Sequence, residues 1–554
     1  MLSHGEVRQN DQKKRHSYRF ADMLKATAGC DIAGRGATPA FTELSKNSKL
    51  PGATLIESGT GDEAARFTPA AGGVGNRYFG GGAVSQNGDV LELCGGGLVH
   101  RSCGAGVGVD RNPIPERGGG LISPLAMDPW TLCACVSLII LVPLAPAGLA
   151  LSNTGFGRAR GAAYAMLSSL AVFAIAALTY CICGFSWEGF PGQPAHQFLL
   201  GGRPWNWIAA PHIFLGGLEL HNSPAMLAML LQVFAVGLAA MIPLSTGAGR
   251  WRLRSISIAT VVFAGWTYPL FAHWVWGGGW LAQLGLNFGL GSGFLDPGGA
   301  GTVQALGGLS ALSIAWILGP RSGKYLTNAG AMAIPGHNIV YVLFGCAIML
   351  PGWVALNAAG SILFAGAAVS AIALIAVHTM LSSSMSCLVA LVATRLRFGK
   401  PDASLCANGW IGGLVASSAV CCFVTPAIAI AVGLIAGALV TVAVEVLEVR
   451  LNVDDPGGAI SVHAVAGIWG LLAVGIFPRV RMAGVPVPAG GQLLAQVVGI
   501  ATLLGLMLPM IYGLNWLLNR IDPQRVSRQG ERMGMGMHEL GGGAYPEFAL
   551  RTDD

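Results

Sequence analysis

From Met127 onward the chain carries only 34 charged residues in 428 positions, 19 Lys/Arg and 15 Asp/Glu. That is about 8%, against roughly 25% in soluble globular proteins. So few charges cannot clothe a water-facing surface. The main body therefore reads as an integral membrane protein, and a soluble enzyme or a disordered scaffold is excluded. The net charge of +6 comes without a dense basic patch or basic–aromatic interleaving, so no nucleic-acid partner is expected. Nine of the 12 cysteines, among them Cys135, Cys346, Cys421 and Cys422, lie in or beside apolar runs without paired metal-ligand spacing. They read as buried thiols acting as small hydrophobes.

A spanning helix needs about 20 largely apolar residues. The charge-free stretches divide into eleven spans near 131–151, 162–184, 223–246, 255–276, 300–319, 337–357, 364–393, 406–424, 427–448, 460–478 and 491–518. The division between the sixth and seventh is expected around Asn357–Ser361. Basic residues set the orientation. Arg158 and Arg160 follow span 1, Arg250, Arg252 and Arg254 follow span 3, and Arg321 and Lys324 follow span 5. Arg395, Arg397 and Lys400 follow span 7, Arg450 follows span 9, and Arg520, Arg525, Arg528 and Arg532 follow span 11. The alternate loops hold Arg203, then none in three loops, then Arg479 and Arg481. Span 1 is thus expected to start outside a cell membrane, with the C-terminal tail 520–554 in the cytoplasm.

Residues 1–126 carry 14 basic side chains that would have to cross the membrane under this topology. The segment has no signal-peptide core and no helical or strand period. It is expected to be disordered or untranslated, with Met127 as the true start.

A repeat is visible inside the apolar part. Asp296-Pro-Gly-Gly-Ala-Gly-Thr-Val-Gln304-Ala-Leu-Gly-Gly308 agrees at most positions with Asp455-Pro-Gly-Gly-Ala-Ile-Ser-Val-His463-Ala-Val-Ala-Gly467, at an offset of 159. One segment opens span 5 and the other opens span 10, so the two helices run oppositely through the bilayer. This predicts an all-α polytopic fold with an inverted 5+5 repeat plus one extra helix. Repeat 1 covers about 127–321, repeat 2 about 337–480 and the extra helix about 491–518, within a membrane domain 127–519. Gln304 and His463 each lie eight residues past the opening Asp, about 12 Å along a helix. In a hydrocarbon core roughly 30 Å thick both side chains arrive near the midplane, where such folds put substrate sites. Asp296 and Asp455 read first as helix N-caps. An intramembrane His is a functional-site candidate, whereas His273 and His378 read first as core histidines.

These motifs resemble the ammonium transporter family (Amt/Mep/Rh) over about 127–548. The resemblance is carried by Phe271-Ala-His-Trp-Val-Trp-Gly-Gly-Gly279, Asp296–Gln304, Gly319-Pro-Arg321, Pro335-Gly-His-Asn338, Gly352-Trp353 with Asn357, Asn408-Gly409, Asp454-Asp-Pro456 and Val462-His463. It implies a homotrimer with one narrow pore per subunit, no cofactor and no enzymatic activity. His463 matches the second histidine of the family's twin-histidine pair, and Gln304 stands at the first, departing from the pattern. Trp276 and Asp296 match the external recruitment site for ammonium, where an aromatic face suits a cation–π contact. Of the two gate phenylalanines one position reads Leu356, and the other is Phe234 with Ala235 as competitor. The recruitment-site serine falls at Gly360 or Ser361. A tail with the family's weakened C-terminal signature leaves room for a cytosolic regulatory protein.

The resemblance implies that ammonium is recruited outside, deprotonated, passed as ammonia by a midplane His through an apolar constriction, and reprotonated inside. An amide cannot titrate, so Gln304 alters proton handling. An electroneutral channel for ammonia or carbon dioxide and a non-conducting ammonium sensor stand as alternatives.

Overall fold

The chain divides into two units, Met1–Val109 and Asp110–Asp554. The computed structural model describes residues 127–209, 213–219, 223–326, 330–477 and 491–545, all in the second unit. The expectation for residues 1–126 lies outside the described residues, as do Arg479 and Arg481.

Among the described residues, ten helices are long and apolar enough to cross a membrane, and one more is apolar but shorter. In chain order they are α1 Pro129–Phe156, α2 Ala159–Glu188, α3 Pro224–Thr246, α4 Leu253–Val275 and α5 Ala300–Leu318. There follow α6 Ile339–Ala365, α7 Val369–Phe398, α8 Ala403–Val420, α9 Pro426–Arg450, the shorter α10 Ile460–Ile476, and α11 Gln492–Ile521. All eleven expected spans are present. Most of α3, α5 and α8 is enclosed, while α2, α7 and α9 turn the larger part of their apolar side chains outward.

Local chemistry starts these helices. Asp128 accepts from Trp130 N and Thr131 N at 3.1 and 3.0 Å, Ser223 Oγ accepts from Met226 N at 3.1 Å, and Asp402 accepts from Leu405 N at 2.8 Å. Each satisfies an amide that the helix itself leaves unpaired. Pro129, Pro224 and Pro426 occupy first turns, where the missing N–H costs nothing. Pro269 in α4 and Pro509 in α11 lie deeper. Each is preceded by a widened turn, Phe263–Thr267 and Leu503–Met507, which moves aside the carbonyl that the ring would strike.

The division between α6 and α7 falls later than expected. Asn357 and Ser361 lie inside α6, fully buried. Asn357 Nδ2 donates to Thr379 Oγ1 at 3.0 Å, and Ser361 Oγ donates back to Asn357 O at 2.7 Å. The helix ends instead at Gly366, which takes a left-handed conformation with φ 66°. Polar residues in an apolar run here mark the inside of the bundle rather than its surface.

Close approaches run through small residues. A Cβ on Gly148 of α1 would lie 2.5 Å from Gly345 O of α6. Ser382, Ser383 and Ser386 of α7 donate to the carbonyls of Gly413, Trp410 and Gly409 of α8 at 2.9, 2.9 and 2.6 Å. The described cysteines are all free, and Cys133 is exposed rather than buried.

Between α2 and α3 the structure adds an antiparallel hairpin, β1 Ala195–Leu200 and β2 Arg203–Ala209. It packs on the α4–α5 connection: Asn206 Nδ2 donates to Gly278 O at 3.0 Å and Trp274 Nε1 donates to Trp207 O at 2.8 Å. At the opposite ends of α4 and α5, the tail after α11 binds the loops. Trp251 Nε1 donates to Gln524 Oε1 at 3.0 Å, and Glu531 accepts from Ser322 N and Oγ at 2.7 and 2.9 Å. Beside it, Asp454 accepts from Arg321 Nε and Nη2 at 2.9 and 2.8 Å and faces Arg250 Nη1 at 3.5 Å, all three side chains being buried.

Candidate functional site

The two Asp-Pro-Gly-Gly segments build the same local structure twice. Gly299 and Gly458 sit at φ 81° and 70°, a left-handed conformation that a Cβ disfavours. The chain then enters a wide first turn, Ala300–Ala305 in α5 and Ile460–Val465 in α10. Asp296 Oδ2 accepts from Gly301 N, Thr302 N and Thr302 Oγ1 at 3.0, 2.8 and 2.9 Å. Asp455 Oδ2 accepts from Ile460 N at 2.7 Å. Both carboxylates therefore do the capping read from the sequence.

The segments also pack on each other by exchange. A Cβ on Gly308 would strike Ala464, and a Cβ on Gly467 would lie 3.2 Å from the Cβ of Ala305. Gly467 is the repeat mate of Gly308, and Ala464 that of Ala305. Residue i touching mate j while j's mate touches i's is the mark of a two-fold contact. Gln304 and His463 are each other's mates. They meet there at 2.8 Å between Gln304 Oε1 and His463 Nδ1, with Gln304 0% and His463 2% exposed.

An amide oxygen only accepts, so in this pairing His463 Nδ1 donates to Gln304 Oε1. His463 Nε2 makes no hydrogen bond among the described residues, and the ring keeps a small open surface. Gln304 Nε2 is enclosed and has no partner among them either. Each member of the pair thus keeps an Nε2 without a partner among the described residues.

Above α5, Trp276 at the end of α4 meets the 296–299 turn and the last turns of α6. Trp276 is buried, donates Nε1 to Asp296 O at 2.9 Å and lies flat on Phe364, with centroids 4.7 Å apart and planes 10° apart. Asp296 Oδ1 is buried without a partner among the described residues, whereas Asp455 Oδ1 accepts from Thr246 Oγ1 at 2.6 Å. Leu356, Gly360 and Phe364 share one face of α6 at four-residue steps. Leu356 is buried, and Gly360 lies where any Cβ would strike Pro297 O. Ser361, the other serine candidate, has its hydroxyl on Asn357 O and 3.4 Å from Cys421 Sγ. Phe234 stacks on Phe173 of α2 at 6.2 Å and 21°, and its neighbour Ala235 is fully enclosed.

Phe364 escaped the sequence reading, although its place two turns beyond Leu356 on one stripe was the available signal. Two buried bonds escaped it as well: Tyr268 donates its hydroxyl to Gln232 Oε1, and Tyr180 donates to Glu188 Oε2 at 2.6 Å. His273 and His378 are core histidines, with Nδ1 on Glu188 O at 2.6 Å and on Cys421 O at 2.8 Å.

Fold and site together define a polytopic α-helical membrane protein built around a buried polar pair at a pseudo-two-fold contact. The chain belongs to the ammonium transporter family: the model of the Ammonium Transporter Family matches residues 131–545. Ammonium transporter Amt2 of Archaeoglobus fulgidus is 34% identical over 425 residues, covering 74% of this chain and 86% of that protein. Ammonium transporter 1 member 2 of Arabidopsis thaliana is 30% identical over 426 residues, covering 71% and 79%. Among solved structures, one described as a sensor Amt protein superposes with a TM-score of 0.66 at 26% identity, covering 74% of this chain and 98% of that one. Candida albicans Mep2 superposes at 0.63 with 20% identity, over 73% and 88%, a likeness of fold.

Proposed function

We propose that the chain carries ammonium nitrogen across a cell membrane through a narrow apolar path that runs past Gln304 and His463. The observation that carries this reading is the buried 2.8 Å pair at the pseudo-two-fold contact, in a member of the ammonium transporter family. Ammonium is drawn from outside by the ring of Trp276 and the unpartnered Asp296 Oδ1, a cation–π and charge attraction at one mouth. It loses a proton there, because an ion meets a steep desolvation cost between apolar walls. Leu356, with Phe234 of α3 or its competitor Ala235, supplies those walls. Ammonia passes the pair and takes up a proton on the far side.

In this reading span 1 starts outside and the tail lies in the cytoplasm, within reach of a cytosolic regulatory protein. Three copies assemble with one path each. Repeats 127–321 and 337–480 form the two halves of the path, and α11 is the addition.

A sensor reading is favoured by one observation, the likeness to the sensor Amt structure. Uptake of labelled methylammonium by proteoliposomes holding the purified chain separates the two. Accumulation above protein-free vesicles supports transport, and binding without accumulation supports the sensor.

A further inference from the structure

The extra helix α11 is tied to the connection that leads into Asp296. Gln492, Gln496 and Gly499 stand at i, i+4 and i+7 and so share one face of α11. That face runs along residues 291–295. Gln492 Oε1 accepts from Ser292 N at 3.0 Å, and its Nε2 donates to Gly293 O at 2.7 Å. Gln496 Oε1 accepts from Leu295 N and its Nε2 donates to Leu295 O, both at 2.9 Å. A Cβ on Gly499 would lie 2.1 Å from the Phe294 ring.

Gln496 is fully enclosed. Besides Leu295, its Nε2 donates to Leu471 O of α10 at 3.1 Å, and its Oε1 accepts from Gln492 Nε2 at 3.2 Å. Both donors and both lone pairs of the amide are thus engaged, and one side chain joins α11, α10 and the residue before Asp296. Leu295 O belongs to the rigid peptide plane on the amino side of Asp296. The plane on the carboxyl side is held through Asp296 O by Trp276 Nε1 at 2.9 Å. With both planes held, the direction of the Asp296 side chain is set. Oδ2 stays on the α5 cap, and Oδ1 has no partner among the described residues.

We propose that Gln496 is a positioning residue for cation recruitment, setting the affinity of the Trp276–Asp296 site for ammonium and methylammonium; the proposal rests on the recruitment step of the reading above. Gln496 has no polar atom left for the cation and acts through Leu295 and Asp296. A carboxylate attracts a cation according to distance and hydrogen-bond angle. A site that holds the binding geometry for only part of the time loses affinity by that fraction. Freed of Gln496, the Leu295–Asp296 peptide plane can turn, and Asp296 divides its time among orientations. If the two glutamines did no more than pack α11 on the bundle, their loss would lower stability and leave the affinity of folded molecules as it was.

The test uses the purified full-length chain, in detergent for equilibrium binding of labelled methylammonium and in proteoliposomes for its uptake. Gln496→Met keeps length and bulk and removes all four bonds. It should weaken binding and raise the half-saturating concentration for uptake at least threefold, with maximal uptake per folded molecule within twofold. Ser386→Ala, which removes a buried bond to Gly409 O between α7 and α8, should lower the melting temperature and leave both affinities unchanged. Should Gln496→Met not fold, Gln496→Glu keeps an acceptor for Leu295 N, loses at least one of the two donations, and should weaken both affinities at least twofold. A folded Gln496 variant with unaltered affinity overturns the proposal, and so does a lack of methylammonium binding by the unaltered chain. Binding that weakens in the variant, while the unaltered chain accumulates nothing above protein-free vesicles, removes the transport reading and supports the positioning role.

Discussion

Asp296 and Asp455 are repeat mates that cap their helices alike, yet of the two only Asp296 keeps a carboxylate oxygen without a partner among the described residues. Asp455 spends its second oxygen on Thr246. The pseudo-two-fold relation is thus broken at the two capping carboxylates, and in the proposed transport reading this break marks the receiving end.

Asp296→Asn should keep the helix cap, because the amide oxygen still accepts from Gly301 and Thr302, but lose the negative charge. Methylammonium uptake per folded molecule is expected to fall at least tenfold. Asp455→Asn should likewise keep its cap, since Asn caps about as well as Asp, and leave uptake per folded molecule within twofold. Uptake normalised to monodisperse protein, with thermal melts in parallel, checks both.

Phe364→Leu should raise the half-saturating methylammonium concentration severalfold without unfolding the protein, because Trp276 loses the ring that holds it flat. Trp276→Leu should do more, since the aromatic face itself is removed. A concentration series on each variant makes the comparison.

The exchange of contacts between the halves predicts matched penalties. Alanine at Gly308 runs into Ala464, and alanine at Gly467 meets Ala300 O at 2.5 Å. Overpacking of this kind costs about 1–3 kcal/mol, and each substitution should lower the melting temperature by a similar amount. A large drop for one and none for the other would contradict the two-fold contact.

Burial alone would raise the Asp454 carboxyl, but the Arg321 bonds and the charges of Arg250 and Arg321 outweigh it and hold the group at about 2, below its ordinary 3.8. A depressed value stabilises the fold above the ordinary value and is lost as pH falls through the folded one. About 2 kcal/mol should therefore disappear between pH 4 and pH 2. Asp454→Asn strands two buried guanidinium groups and should cost about 3–5 kcal/mol at neutral pH, while flattening that acid-side loss. Thermal melts of both proteins across this range measure it.

Much of this was legible beforehand, and the reasons are physical. Charge scarcity and the alternation of arginines follow from the cost of charge in lipid, so eleven spans could be read directly. The 159-residue echo brought Gln304 and His463 together because mates descending from opposite faces must meet near the middle. What misled was Asn357: a polar residue in an apolar run reads as a surface break, and only the packed bundle supplies Thr379 to satisfy it. Phe364 and the 195–209 hairpin were invisible for a related reason. Their roles lie in contacts with Trp276 and Trp274, which neither periodicity nor composition records.

The central claim is that nitrogen crosses at the buried contact between Gln304 and His463. Its most direct test is labelled methylammonium uptake by proteoliposomes of the unaltered chain and of His463→Ala, both shown to be folded. Loss of at least nine-tenths of the uptake in the variant is the predicted result. Equal uptake by the two proteins would contradict the account.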